Sequence, residues 1–411
     1  MPRRAQPLRI AIDTGGTFTD CVWIDRGRVR MLKVFSTPAD PSLAIVDALS
    51  KIAPAGDFIL LHGTTVGTNT LLERKGARTA LVTTAGFEDA IEIGRQARPK
   101  LYDFFFDRIE PLVPKELRFG VNERTARDGE ILTSPTAEDL RNLAEQVAAA
   151  KPASIAISLL FSFANPKSEL EVANALARVG VPLSISHQIL PEFREYERTS
   201  TVVINAYLQP VIQRYLENLE SRAKSIRRDV AGSVSLTTST KARGINVPAP
   251  RVFVMQSSGG ITALSTAARE PVRTVLSGPA GGVVGAVATA RASGFDRIIA
   301  FDMGGTSTDV SLVEGEIKTA TDAQITGLPI SVPMLDIHTV GAGGGSLARF
   351  DAAGVLRVGP ESAGADPGPI CYGSGTQPTV TDANLLLGRL QPTRFLGGDF
   401  TLDLDRTRHI T

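Results

Sequence analysis

The feature that most constrains this chain is a repeat. Ile10-Ala-Ile-Asp13-Thr14-Gly15-Gly16-Thr17-Phe18-Thr19-Asp20 returns as Ile299-Ala-Phe-Asp302-Met-Gly304-Gly305-Thr306-Ser-Thr308-Asp309, with eight of eleven positions identical. Each copy runs from an apolar strand into an acidic, glycine-paired turn. Glycines let backbone N–H groups approach phosphate oxygens, threonine hydroxyls add donors, and the leading aspartate can hold Mg2+ directly or through water. One Gly-Gly after a strand is also an ordinary hairpin turn. Two copies in the same context point to a phosphate site split between two related halves. Asp13 and Asp302 are therefore the candidate Mg2+ ligands and catalytic carboxylates. Thr14, Gly15, Gly16, Thr17 and Thr19 are the phosphate contacts expected on one side, and Gly304, Gly305, Thr306 and Thr308 on the other. Asp20 and Asp309 either hold their turns in shape or join the chemistry; the sequence leaves both open.

The chain has 411 residues and 43% hydrophobic content, enough for two or three cores. Lys+Arg number 44 against 43 Asp+Glu, so no electrostatic footprint for nucleic acid or anionic lipid is expected. Two distant cysteines, Cys21 and Cys371, argue for a reducing compartment and against a disulfide framework or a cysteine zinc site. No apolar segment precedes the first strand, and Val275 to Ala290 is broken by Pro279 and four glycines. The expectation is a cytoplasmic protein with no membrane or nucleic-acid partner.

Strand and helix patterns alternate. Strands are expected at Leu8–Ile12, Cys21–Ile24, Arg28–Val34, Phe58–His62, Ala80–Thr84, Ser154–Leu160 and Val181–Ser186. Helices fall between them: Ser42–Ile52, with Leu43, Ile45, Val46, Leu49 and Ile52 on one side, then Thr68–Lys75, Ala137–Ala150 and Ser168–Val179. This gives an α/β lobe over residues 7–190. A long helix from Arg198 through Ala223 bridges to a second lobe over 191–411, with strands near Val234–Thr238, Val252–Gln256 and Ile298–Asp302. Leu276 to Ala286, rich in glycine, opens a helix that feeds the second turn. It reads equally as an interdomain hinge or as tight helix–sheet packing.

At the two turns the chain resembles the ATP-binding superfamily of actin, the sugar kinases and the 70-kDa chaperones. It is more similar still to the hydantoinase A/5-oxoprolinase family, which includes ATP-binding subunits of acetone and acetophenone carboxylases. The matching blocks are Ile12–Asp20, His62–Thr70, Leu190–Thr199, Ser277–Gly282, Phe301–Asp309, Asp336–Ser346, and Asp366–Pro369 with Thr381–Asn384. The resemblance implies two actin-like (ribonuclease H-like) α/β lobes of mixed sheet flanked by helices. It also implies an ATP- and Mg2+-dependent hydrolase that phosphorylates the carbonyl oxygen of a cyclic amide, such as 5-oxoproline or a hydantoin, for ring opening. A hydantoinase B-type subunit is the implied partner. A non-catalytic ATP-binding scaffold and a carboxylase-type subunit are the alternatives; a glucokinase-type enzyme is disfavoured by the absence of a Cys/His cluster. Family members continue well beyond the position of Thr411, and no adenosine-contacting loop is found after Asn384. The second lobe is therefore expected to be incomplete, finished by a separate polypeptide or shortened with weak or no ATPase activity.

Further candidates lie inside these blocks. His338, in Asp336-Ile-His338 beside a glycine-rich turn, could bind a metal, polarise a substrate carbonyl, or be structural; one His and one Asp are too few for a metal site. Gly343, Gly344 and Gly345 are expected near the phosphates. His62, Thr64 and Thr65 in the Gly-Thr-Thr turn, and Arg194 as a carboxylate partner, are expected to touch substrate. His62 also reads as a strand-end residue bonding its own loop.

Overall fold

The computed structural model describes residues 7–15, 18–37, 40–52, 58–96, 102, 109–234, 251–364, 366–395, 398 and 400–411. The first repeat folds as a hairpin because its apolar residues alternate. In Leu8–Thr14, Ile10, Ile12 and Thr14 point inward, while Arg9, Ala11 and Asp13 point out. This strand pairs antiparallel with Phe18–Asp25, which pairs antiparallel with Arg28–Phe35. Arg26 and Gly27, both at positive φ, make the tight turn between the last two.

Phe58–Thr64 lies parallel to Leu8–Thr14 on its other edge. A parallel pairing needs a crossover, and the helix Pro41–Ile52 supplies it, packing Ala44, Ile45, Ala48 and Leu49 over Ile10, Ile12 and Leu60. The expected apolar face of this helix is corrected here: Leu43 is exposed, and alanines make much of the contact. Arg251–Met255 adds in parallel beside Phe58–Thr64, and Ile261–Ala263 closes the edge. A six-stranded mixed sheet begun at residue 8 is thus completed by strands from beyond residue 250.

A second sheet runs Arg118–Val121, Thr79–Thr84, Ser154–Ser158, Leu183–Ile185 in spatial order, all parallel. Every residue of Thr79–Thr84 and Ser154–Ser158 is buried, as expected of parallel strands covered on both faces. Ala80, Val82, Ile155 and Ile157 meet the helices Ala137–Ala149 and Lys167–Leu176. Leu81 and Ala156 belong instead to the core built on the long helix Glu195–Val234. That helix begins before the expected Arg198 and runs past Ala223, with Pro210 inside it. Val234 ends the helix rather than opening the expected strand, and residues 235–250 lie outside the described residues.

In the second half, Arg297–Met303 and Thr308–Glu314 form the second repeat's hairpin, and His338–Val340 pairs onto it. The helix Ser277–Ala292 packs on this hairpin through Ala280, Val283 and Val287 against Ala300 and Val313. A C-terminal cluster then folds back on the first hairpin: Phe395 and Phe400 stand edge-on to Phe18 and Phe35, at 5.9 and 5.8 Å between ring centroids. The fold is α/β, with sheets flanked by helices. Among the described residues no helix is long and apolar enough to cross a membrane.

Candidate functional site

The two turns share one geometry. Asp13 pairs in register with Asp20, and Asp302 with Asp309. The Gly15 N–H donates to the Phe18 carbonyl and the Gly304 N–H to the Ser307 carbonyl, each at 2.9 Å. Gly16 and Thr17 lie outside the described residues. Gly304, Gly305 and Thr306 are open at the tip of the second turn.

The threonines flanking the turns face the other way, which corrects the expectation that their side chains touch phosphate. Strand alternation that sends Asp13 outward sends Thr14 inward, and its cross-strand neighbour Thr19 with it. The Thr19 hydroxyl meets that of Ser36 at 2.9 Å, and Ser36 donates to the Gly15 carbonyl at 2.8 Å. Thr308 donates to the Ala342 carbonyl. These hydroxyls brace the turns from behind.

Between the turns lies the helix Ser277–Ala292, and its glycines explain the close approach. A methyl group added at Gly278 would stand 3.2 Å from Oδ1 of Asp13, and one at Gly282 would stand 3.7 Å from Oδ2 of Asp302. Positions four apart share a helix face, so this face abuts both carboxylates. Gly278 and Gly282 thus allow close packing of this segment. The helix begins at Leu276, held at φ 59° with its N–H donating to Thr68 Oγ1 at 3.0 Å. Its first-turn N–H groups and dipole favour anions.

Asp13 is exposed yet crowded by Gly63, where an added methyl would meet its Oδ1 at 2.6 Å. Loss of hydration, followed by the charges of Asp20 and Asp302, pushes its pKa up to about 6. Asp20 is compensated by Lys33 at 2.7 Å. Asp309 is raised by burial, and Thr339 bonds it at 2.6 Å. Two carboxylates crowded toward one gap suit a divalent cation, which would relieve the repulsion Asp13 feels. Among the described residues no set of three or more His, Cys, Asp or Glu could hold a metal. Asp13 and Asp302 would therefore need water or phosphate oxygens as further ligands.

The remaining candidates are dispersed. Gly343, Gly344 and Gly345 lie beneath the second turn. Their N–H groups are engaged by Ser346 Oγ, Gly304 O and Gly305 O at 2.8, 2.9 and 2.7 Å, so they shape the turn instead of cradling phosphate. His338 is exposed on the edge strand, opposite Val310, and its expected place in the catalytic centre has no support from a bonded partner among the described residues. Arg194 pairs with Asp322 at 2.9 Å, and among the described residues it bonds to neither turn. Thr65 donates to the Thr14 carbonyl at 2.9 Å, and Thr64 is buried, its carbonyl accepting from Ser277 at 3.1 Å. His62 is corrected most plainly. It is buried, with Nδ1 3.3 Å from the Ile12 carbonyl and Nε2 2.6 Å from the Tyr215 hydroxyl, so it stands behind the turn with both ring nitrogens engaged.

Sequence reasoning missed Tyr215, Ser277, Thr339 and the roles of Gly278 and Gly282. The spacing of Gly278 and Gly282 was the one available signal, since it marks a bare stripe on one helix face.

Comparison with known proteins agrees with this arrangement. A family model described as Hydantoinase/oxoprolinase N-terminal region matches residues 9–180, and one described as Hydantoinase/oxoprolinase matches 198–411. The chain is 37% identical to the caprolactamase subunit alpha of Pseudomonas jessenii, over 97% of this chain and 57% of that subunit. It is 36% identical to 5-oxoprolinase 1 of Arabidopsis thaliana, over 94% of this chain and 32% of that enzyme. A nucleotide-free structure of acetone carboxylase superposes with a TM-score of 0.78 at 29% identity, covering 98% of this chain and 58% of the other. The chain thus spans little more than half the length of the caprolactamase subunit, and less of the oxoprolinase.

Proposed function

The chain belongs to the hydantoinase/oxoprolinase family, and from that premise we propose that its two turns hold the phosphates of Mg·ATP for activation of a cyclic amide. The observation that carries this reading is the repeat in space: two hairpins of one geometry, with Asp13 and Asp302 both abutting one helix face. An amide is resonance-stabilised and resists water. Phosphorylation of its oxygen removes the amide resonance and exposes the carbon to water. The C–N bond then breaks with a proton taken up by the ring nitrogen, which opens the ring, and hydrolysis of the acyl phosphate left behind releases carboxylate and phosphate.

Phosphoryl transfer asks a protein mainly for position and charge. The exposed Gly305 and the first turn of the helix Ser277–Ala292 offer backbone donors on the approach to the phosphates, while the Gly304 N–H closes its own turn onto the Ser307 carbonyl. Asp13 and Asp302 would hold Mg2+, which when bound neutralises phosphate oxygens. Thr65, Ser36 and Thr308 keep the two turns in shape from behind. Water attack on the activated carbonyl belongs to a partner subunit of hydantoinase B type, which fits relatives named as subunits of larger enzymes. A second reading, activation of a ketone for carboxylation, is favoured by the likeness to acetone carboxylase.

The test is product analysis. The chain, alone and with a B-type partner, is incubated with Mg·ATP and with 5-oxoproline, hydantoin, caprolactam or acetone. The proposal expects amide-dependent phosphate release and an opened ring. A carboxylated ketone would favour the second reading, and ATP binding without turnover in any combination would assign a scaffold.

A further inference from the structure

We propose that Tyr215, oriented by a neutral His62, is a positioning residue for the first phosphate turn; this rests on the reading that the turn binds nucleotide. Tyr215 lies on the long helix Glu195–Val234, far in sequence from the turn it reaches. Its hydroxyl and the His62 ring are buried together, 2.6 Å apart.

Satisfaction of donors and acceptors fixes the direction of this chain of bonds. The Ile12 carbonyl can only accept, so Nδ1 of His62 carries the proton and donates to it. Nε2 is then bare and accepts from the Tyr215 O–H. The Thr14 hydroxyl donates elsewhere, to the Gly63 carbonyl at 3.5 Å. The relay thus runs from Tyr215 through His62 to the Ile12 carbonyl, in the strand that leads into the turn. Burial holds His62 neutral, its pKa lowered to about 4, so the direction persists through the neutral range. A protonated His62 would present a second donor to Tyr215 and reverse it.

Asp13 directly follows Ile12, on the opposite face of the strand. Holding Ile12 from below therefore bears on the direction in which the next residue, Asp13, leaves the strand. The groups that face the relay are the strand's own hydroxyls and the long helix, and the charges of Asp40 and Asp13 add to burial in raising the Tyr215 pKa.

The test uses the full chain with Tyr215→Phe, which keeps the ring and removes only the hydroxyl. It is compared with His62→Gln, which keeps one donor and one acceptor, and with His62→Leu. Amide hydrogen exchange at Thr14 and Gly15 and titration with Mg·ATP are the readouts. Tyr215→Phe is expected to speed exchange at the turn and to weaken Mg·ATP about fivefold to tenfold, the worth of one buried hydrogen bond. His62→Gln is expected to stay nearer the wild type than His62→Leu. Unchanged exchange in Tyr215→Phe would overturn the proposal, and so would equal behaviour of the two His62 variants. If the wild type binds no Mg·ATP but Tyr215→Phe still loosens the turn, the nucleotide reading fails while the positioning role stands.

Discussion

On the proposed reading Asp13 is a metal ligand, and pH tests it. Its pKa is pushed up to about 6, above the ordinary carboxylate value, chiefly by lost hydration. The fold therefore favours its protonated form. In the absence of a cation, the stability this group contributes is present below the ordinary value and is lost as pH rises through about 6. A divalent cation needs the ionised form, so its binding runs the other way. The rise in melting temperature on adding Mg·ATP should be larger at pH 7.5 than at pH 5, and Asp13→Asn should flatten that difference. A pH-independent rise in the wild type would remove Asp13 from the metal site. This aspartate stood out in the sequence because it leads a repeated motif. The inward turn of His62 was legible too, in hindsight: it shares strand parity with Phe58 and Leu60, both buried, and parity decides which face a side chain takes. A histidine beside a Gly-Thr-Thr turn draws attention to chemistry, and the alternation outweighs it.

At the level of elements, the hairpins could be read from sequence because their information is local. Alternating apolar residues and a glycine turn sit within a dozen positions, and register follows from the pattern. The helix Ser277–Ala292 could not be read so fully. Its small residues fit a hinge or a packed face equally well, and only its neighbours decide. Those neighbours, Asp13 and Asp302, come from hairpins 289 residues apart in the sequence. The glycine loop 343–345 is similar: the N–H groups of Gly344 and Gly345 donate to the second turn's own carbonyls, a pairing that no local pattern announces. Likewise Arg251–Met255 could be recognised as a strand, but its place beside Phe58–Thr64 depends on the return of the chain through the long helix.

Across the whole molecule the two repeats match in backbone and differ in cover. Ile10 and Ile12 of the first copy are 0% and 1% exposed, beneath the helix Pro41–Ile52 and beside a parallel strand. Their counterparts Ile299 and Phe301 are 69% and 64% exposed, on a strand paired along one edge only among the described residues. The same substitution should therefore have opposite consequences. Ile10→Asp buries a charge without a partner and should cost more than about 3 kcal/mol of stability. Ile299→Asp should stay within about 0.5 kcal/mol. Denaturant unfolding of the two variants checks this, and comparable losses would mean that Ile299 is covered in solution. The mixed α/β architecture was legible from alternation of elements, whereas this asymmetry between halves was not, because near-identical segments gave no hint of different surroundings.

The central claim is that two distant turns form one phosphate site. Isothermal titration of the purified chain with Mg·ATP, beside Asp13→Ala and Asp302→Ala, tests it most directly. The account predicts saturable binding at one site, weakened at least about tenfold by either substitution, the loss of roughly 1.4 kcal/mol. Folded wild-type protein that does not bind, or binding that survives either change, would contradict it.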